Sequence, residues 1–135
     1  MNLTGFINTL AKFEKRFGLN KNDYYLTHGG ALMLLGLKKT TDDCDVTISN
    51  KDKSDWFMKA GFPMKEVRPG VWCISVLHKV DVHNDDGTVK PEELMKTRGI
   101  WHTTPERILA DKKVLNREKD QYWIKLLEAY INEKR

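Results

Sequence analysis

The stretch HGGALMLLGLKKTTDDCDVTI, residues 28–48, runs from a glycine pair through an apolar segment into an alternating acidic one. His28-Gly29-Gly30 reads as a tight turn, and Ala31 to Leu35 as an apolar helix closed by Gly36. In Asp43 to Ile48 the two-residue period of a strand places Cys44, Val46 and Ile48 on one face and Asp43, Asp45 and Thr47 on the other. One face is built to pack and the other carries acid.

Upstream, Leu3, Phe6, Ile7, Leu10, Phe13 and Phe17 recur at helical spacing, predicting an amphipathic helix that Gly18 ends, followed by a short strand over Tyr24 to Thr27. Downstream, Ser54 to Ala60 reads as a short helix with Trp56 and Phe57 turned inward. Val71 to Leu77 and Lys79 to His83 read as a hairpin whose second strand sets Asp81 and His83 against Val80 and Val82. Pro91 opens a short helix through Arg98, and Ile100-Trp101-His102 is a short extended piece. Thr103 or Thr104 caps a helix with Ile108, Leu109 and Leu115 on its inner face. Trp123, Leu126, Leu127, Tyr130 and Ile131 mark a last apolar stripe. The pattern predicts a small mixed sheet flanked by helices, an α+β or α/β fold, in one domain over residues 1–135.

The net charge of +4 and pI near 9.0 favour a polyanionic partner such as nucleic acid or a nucleoside triphosphate. The lysines are dispersed and form no continuous basic run. No apolar stretch approaches the length of a membrane span, and residues 1–17 lack the pattern of a signal peptide. Cys44 and Cys73 form no CxxC pair and read as free, reduced thiols, so a cytoplasmic location is expected.

Three carboxylates on the same side of neighbouring strands repel one another unless a cation neutralises them. Such hard oxygen ligands suit Mg²⁺ or Mn²⁺. Asp43 and Asp45 project side by side, and Asp81 joins them if its strand pairs alongside. Ions held there activate an attacking hydroxyl and stabilise the leaving oxygens of a phosphoryl displacement. A bare Asp-x-Asp is also an ordinary polar strand face; what strengthens it is Gly29-Gly30 ahead of the helix, where backbone amides receive phosphate oxygens. His28 reads as a polar turn residue, His83 lies in phase with Asp81, Cys44 packs away from the acids, and Trp72 and Trp101 read as core or rim aromatics.

Gly29-Gly30, twelve residues, then Asp43-Cys44-Asp45-Val46 resembles the signature of the nucleotidyltransferase superfamily. Lys39-Thr40-Thr41-Asp42-Asp43-Cys44-Asp45 is similar to the Arg-x-Thr-x-Asp-x-Asp pattern of small bacterial and phage nucleotidyltransferase-like proteins related to AbiEii toxins, with Lys39 at the arginine position. Lys112, Arg117, Lys119 and Asp120 resemble the C-terminal pattern of that group, and the likeness extends from Tyr24 to Leu127.

The resemblance implies a polymerase-β-like nucleotidyltransferase fold and transfer of a nucleoside monophosphate from a triphosphate to an acceptor hydroxyl, with release of pyrophosphate. It assigns Asp43, Asp45 and Asp81 to Mg²⁺ or Mn²⁺, with Asp81 also activating the acceptor. Gly29, Gly30, Lys39, Lys112 and Asp120 go to the nucleotide, Lys112 either neutralising the triphosphate or pairing with Asp120 to hold the C-terminal helices over the site. The basic balance favours RNA, transfer RNA included, as acceptor. The alternatives are a catalytically inactive nucleotide-binding or protein-interaction module of the same fold, toxin- or inhibitor-like, and a metal-dependent phosphohydrolase or nuclease, which does not need the Gly-Gly helix start.

Overall fold

The computed structural model describes residues 1–134. Helix α1 (Leu3–Phe17) starts where the Asn2 side chain accepts a hydrogen bond from the Gly5 amide. It stops at Gly18, whose φ of 65° turns the chain left-handed and returns its N–H to the Glu14 carbonyl. Strand β1 (Tyr24–Leu26) leads into α2 (His28–Leu34), and β2 (Cys44–Ile48) into α3 (Lys51–Lys59). Three strands follow, β3 (Lys65–Arg68), β4 (Val71–Val76) and β5 (Val80–Asn84). After a 3₁₀ turn at Pro91–Glu93 come β6 (Leu94–Thr97), β7 (Ile100–Thr103), α4 (Pro105–Leu115) and α5 (Asp120–Lys134).

The seven strands form one mixed sheet in the order β3-β4-β5-β2-β1-β7-β6, so the chain has an α+β architecture. β2 is antiparallel to β1 and parallel to β5. One sheet face presents Cys44, Val46, Ile48, Ile74, Val80 and Val82 to Phe6, Leu10 and Phe13 of α1 and Phe57 of α3. Burial of each such side chain contributes roughly 1.5–3 kcal/mol, which makes this face the source of the fold's stability. A smaller cluster joins Ala31 and Leu32 of α2 to Ile108 of α4 and Leu127 of α5. Helix α2 therefore touches α1 on one side and the α4–α5 pair on the other.

The expected helix over Pro91 to Arg98 does not form. Only the 3₁₀ turn precedes β6, because Arg98 and Gly99, at φ 54° and 76°, make a tight turn that pairs Thr97 with Ile100 and commits Leu94 to Thr97 to a hairpin. Trp56, expected inward, is 52% exposed and covers the rim of an aromatic group made by Phe17, Phe57 and Phe62. Leu115, expected on the inner face of α4, is 49% exposed. Strand β3 carries no apolar alternation that announces it, since all four residues are exposed at the sheet edge. His28-Gly29-Gly30 is not a separate turn but the first turn of α2. Both cysteines are free thiols.

Candidate functional site

The face of the sheet opposite the main core carries the polar residues. The parallel register of β2 and β5 sets Asp45 directly beside Asp81, and Thr47 beside His83. Paired strands lie about 4.8 Å apart, so the two carboxylates spring from neighbouring positions on one surface. Asp43 stands one residue ahead of β2, exposed, with its carbonyl accepting from the buried Thr41 hydroxyl at 3.2 Å. Among the described residues no lysine or arginine forms an ion pair with Asp43, Asp45 or Asp81.

Asp45 is half-buried, and burial pushes its carboxyl above the usual carboxylate range, opposed by His28 and His83 and reinforced by Asp81 and Asp43. The His28 imidazole is itself pushed down by burial, with the Asp45 charge working against that shift. His28 opens α2 with a φ of 55°, a left-handed conformation costing roughly 1–2 kcal/mol for a residue with a Cβ. His83 has Nδ1 3.3 Å from the Val46 carbonyl oxygen, and Asp81 Oδ1 accepts from the Ser75 hydroxyl at 2.7 Å. Ser75 belongs to β4, on the side of β5 away from β2, so this bond draws the Asp81 carboxylate away from Asp45. Among the described residues, no three histidine, cysteine, aspartate or glutamate side chains are gathered closely enough to enclose an ion. Mg²⁺ does not need such a cage, since it is commonly held by one or two carboxylates together with substrate phosphates and water.

The two glycines are explained by packing. A Cβ on Gly30 would lie 2.5 Å from Cζ of Phe6, and one on Gly29 would lie 2.7 Å from Oγ1 of Thr41. Gly30 is buried where α2 crosses α1, whereas Gly29 lies beside Lys38, whose Nζ is 3.4 Å from the position of that absent Cβ. Lys38 therefore approaches the start of α2, while Lys39, the lysine singled out by sequence, is exposed and makes no ion pair among the described residues.

At the C-terminal helices the expected pairing forms, with Lys112 Nζ 3.6 Å from Asp120 Oδ1. Asp120 is 1% exposed and bound more closely by Arg117, Nε to Oδ2 at 2.8 Å and Nη2 to Oδ1 at 3.0 Å. The Arg117 hydrogen bond holds the Asp120 carboxyl well below the usual carboxylate range. Burial lowers Lys112, Arg117 and Lys38 lower it further, and Asp120 opposes them. Two cations, Lys112 and Arg117, thus share one carboxylate, and Arg117 takes both its oxygens. Lys119 is exposed and outside this group.

A cleft of about 400 Å³ opens on the acid-bearing face, with Thr47 and His83 in its floor and Arg107 and Asp111 of α4 in its wall. Sequence reasoning missed Lys38 and Ser75 and set His28 aside. Ser75 carries a phase signal, since it alternates with Ile74 and Val76, but only the pairing of β4 with β5 connects it to Asp81. No helix among the described residues is long and apolar enough to cross a membrane. Comparison of the chain with protein-family profiles, with curated proteins and with solved structures finds no match in any of the three.

Proposed function

We propose that the protein is a metal-dependent nucleotidyltransferase of the polymerase-β-like fold, moving a nucleoside monophosphate from a triphosphate to an acceptor hydroxyl, with RNA the favoured acceptor. The observation that carries this reading is the in-register pair Asp45 and Asp81 on parallel strands, with Asp43 two residues before Asp45 and, among the described residues, no lysine or arginine paired to any of the three. Asp43, Asp45 and Asp81 would hold Mg²⁺ or Mn²⁺, which supplies charge neutralisation at the transferring phosphorus and activation of the attacking hydroxyl.

The protein's own groups divide the remaining work. Lys112 and Lys38 give positive charge that Asp120 does not satisfy, on the side of α2 where Gly29 leaves the backbone open to Lys38. That excess suits the β and γ phosphates. Asp81, oriented by the Ser75 hydroxyl, would accept the proton of the acceptor hydroxyl. Burial favours the neutral His28 ring, with the Asp45 charge opposing.

The test is incubation with each α-labelled triphosphate, Mg²⁺ or Mn²⁺ and total RNA, comparing wild type with Asp43→Ala and Asp45→Ala. Label is expected in RNA with the wild type and reduced at least about a hundredfold in either variant. No transfer, or equal transfer in all three, overturns the enzymatic reading. Metal-dependent triphosphate binding without turnover identifies the inactive binding module instead.

A further inference from the structure

The 400 Å³ cleft is assigned nothing by the acids or the lysines, yet it adjoins them. Its floor residues Thr47 and His83 lie two positions along from Asp45 and Asp81 on the same strands. An occupant therefore rests within roughly 7 Å of the acids. The volume falls in the range of small-molecule sites, about 300–1,000 Å³.

The charges in the cleft are already balanced. Arg68 pairs with Asp86 at 3.4 Å, and Arg107 pairs with Asp111 at 3.0 Å and with Glu93 at 3.1 Å. Among the described residues a phosphate finds no spare lysine or arginine there; Lys38 and Lys112 do not line it. The apolar lining is on opposed walls, with Val71 on the sheet and Val89, Val114 and Leu115 on the loop and helix. Val114 is 85% exposed and Leu115 49% exposed, large apolar groups left open at the lip. Among the described residues the Thr27 hydroxyl makes no hydrogen bond, and His83 uses Nδ1 on the Val46 carbonyl, leaving Nε2 unbonded. A flat ring between apolar walls, with hydroxyls meeting Thr27 and His83, matches this lining.

We infer that the cleft seats an uncharged nucleoside, base and sugar together, while phosphates lie outside it. The choice of a nucleoside over another neutral ligand rests on the nucleotidyltransferase reading. Two sources share that chemistry, the nucleoside of the triphosphate and the terminal nucleoside of an acceptor RNA.

Methyl-resolved NMR of the full chain tests the seat. Adenosine, guanosine, cytidine and uridine are titrated separately, and inorganic tripolyphosphate is titrated as the charge control. At least one nucleoside is expected to shift the Val71, Val89 and Leu115 methyls saturably, and tripolyphosphate to leave them in place. Val89→Trp, in a half-buried loop position, and Leu115→Trp, on the exposed lip, fill the cleft by separate routes. Each is expected to weaken nucleoside binding about tenfold or more with the remaining methyl spectrum native. Absence of nucleoside shifts, displacement of the nucleoside by tripolyphosphate, or unchanged affinity in both variants overturns the inference.

A triphosphate that moves the cleft methyls and the Lys112 signals together identifies the donor as the source. An RNA dinucleotide that moves the methyls with triphosphate already bound identifies the acceptor. If nucleosides bind in the cleft while no label reaches RNA, the seat stands and the transferase reading fails. Label transfer with silent cleft methyls removes the seat alone.

Discussion

Asp45 and Asp81 are direct partners across the parallel pairing of β2 and β5, one carboxylate half-buried and without an ion pair among the described residues, the other held by the Ser75 hydroxyl. Two acids on adjacent strands repel each other, and a bound cation relieves both at once. Mg²⁺ is therefore expected to raise the thermal unfolding midpoint, by linkage about 2.7 kcal/mol at a hundredfold excess over its dissociation constant. Differential scanning fluorimetry with Mg²⁺ titrated into wild type, Asp45→Asn and Asp81→Asn checks this. An identical shift in all three places the ion elsewhere.

In a chelator the pH dependence of the same carboxylate has a definite sign. Burial raises the Asp45 pKa in the folded chain, so the native state holds that proton more firmly than the unfolded state. Its contribution is present at pH below the unfolded carboxylate value and is lost as pH rises through the raised one. Asp45→Asn is accordingly expected to raise the midpoint at pH 7, with the gain disappearing below about pH 4. Asp120 behaves oppositely, since Arg117 depresses its pKa and its contribution is lost as pH falls. Asp120→Asn is expected to lower the midpoint at pH 7 and to matter progressively less in acid. Matching slopes for the two variants between pH 3 and 7 would show that the assignments of sign are mistaken.

Gly30 and Phe6 are in contact at the α1–α2 crossing. A Cβ at Gly30 lies 2.5 Å from the ring, and the helices must part to admit it. Gly30→Ala is expected to cost about 1–3 kcal/mol in urea unfolding, and Phe6→Leu combined with it to cost less than the sum of the two single changes. Additive costs would mean that the crossing has room to relax.

The turn between β6 and β7 places Arg98 at φ 54° ahead of Gly99. A long side chain is disfavoured there, and asparagine is the residue such turns prefer. Arg98→Asn is expected to stabilise by about 0.5–1 kcal/mol in the same assay. A loss of stability would indicate that the arginine makes contacts beyond the turn.

Much of this architecture is readable before folding. Cys44, Val46 and Ile48 are buried and Asp45 half-buried, as the strand period predicts, while Thr47 on the acid face is buried as well, which the alternation alone does not show. Helix α1 and the helix opened by Thr104 and Pro105 are equally plain, since their caps are local. Long-range pairing is different. Nothing local says that Asp81 stands opposite Asp45 and not one register away, or that Ser75 reaches it, and these facts depend on β4, β5 and β2 meeting in the sheet. Lys38 was hidden for a related reason, as which of two adjacent lysines turns toward Gly29 is decided by how residues 36–41 cross the start of α2. Only β6 reads as helix in the sequence, because it is short and Pro91 with two glutamates imitates a helix start, whereas Ile100-Trp101-His102 reads as the extended piece that β7 is.

The sheet keeps two separate accounts of the same residues. Cys44, Val46, Val80 and Val82 belong to the main core, and the interleaved Asp45 and Asp81 lie on the opposite face, outside it. The acid-bearing surface is thus free to drift while the scaffold persists. A lineage that exchanged Asp45 and Asp81 for amides would keep this shape and lose the proposed metal site, and recognition by shape alone would not distinguish an enzyme from a decoy.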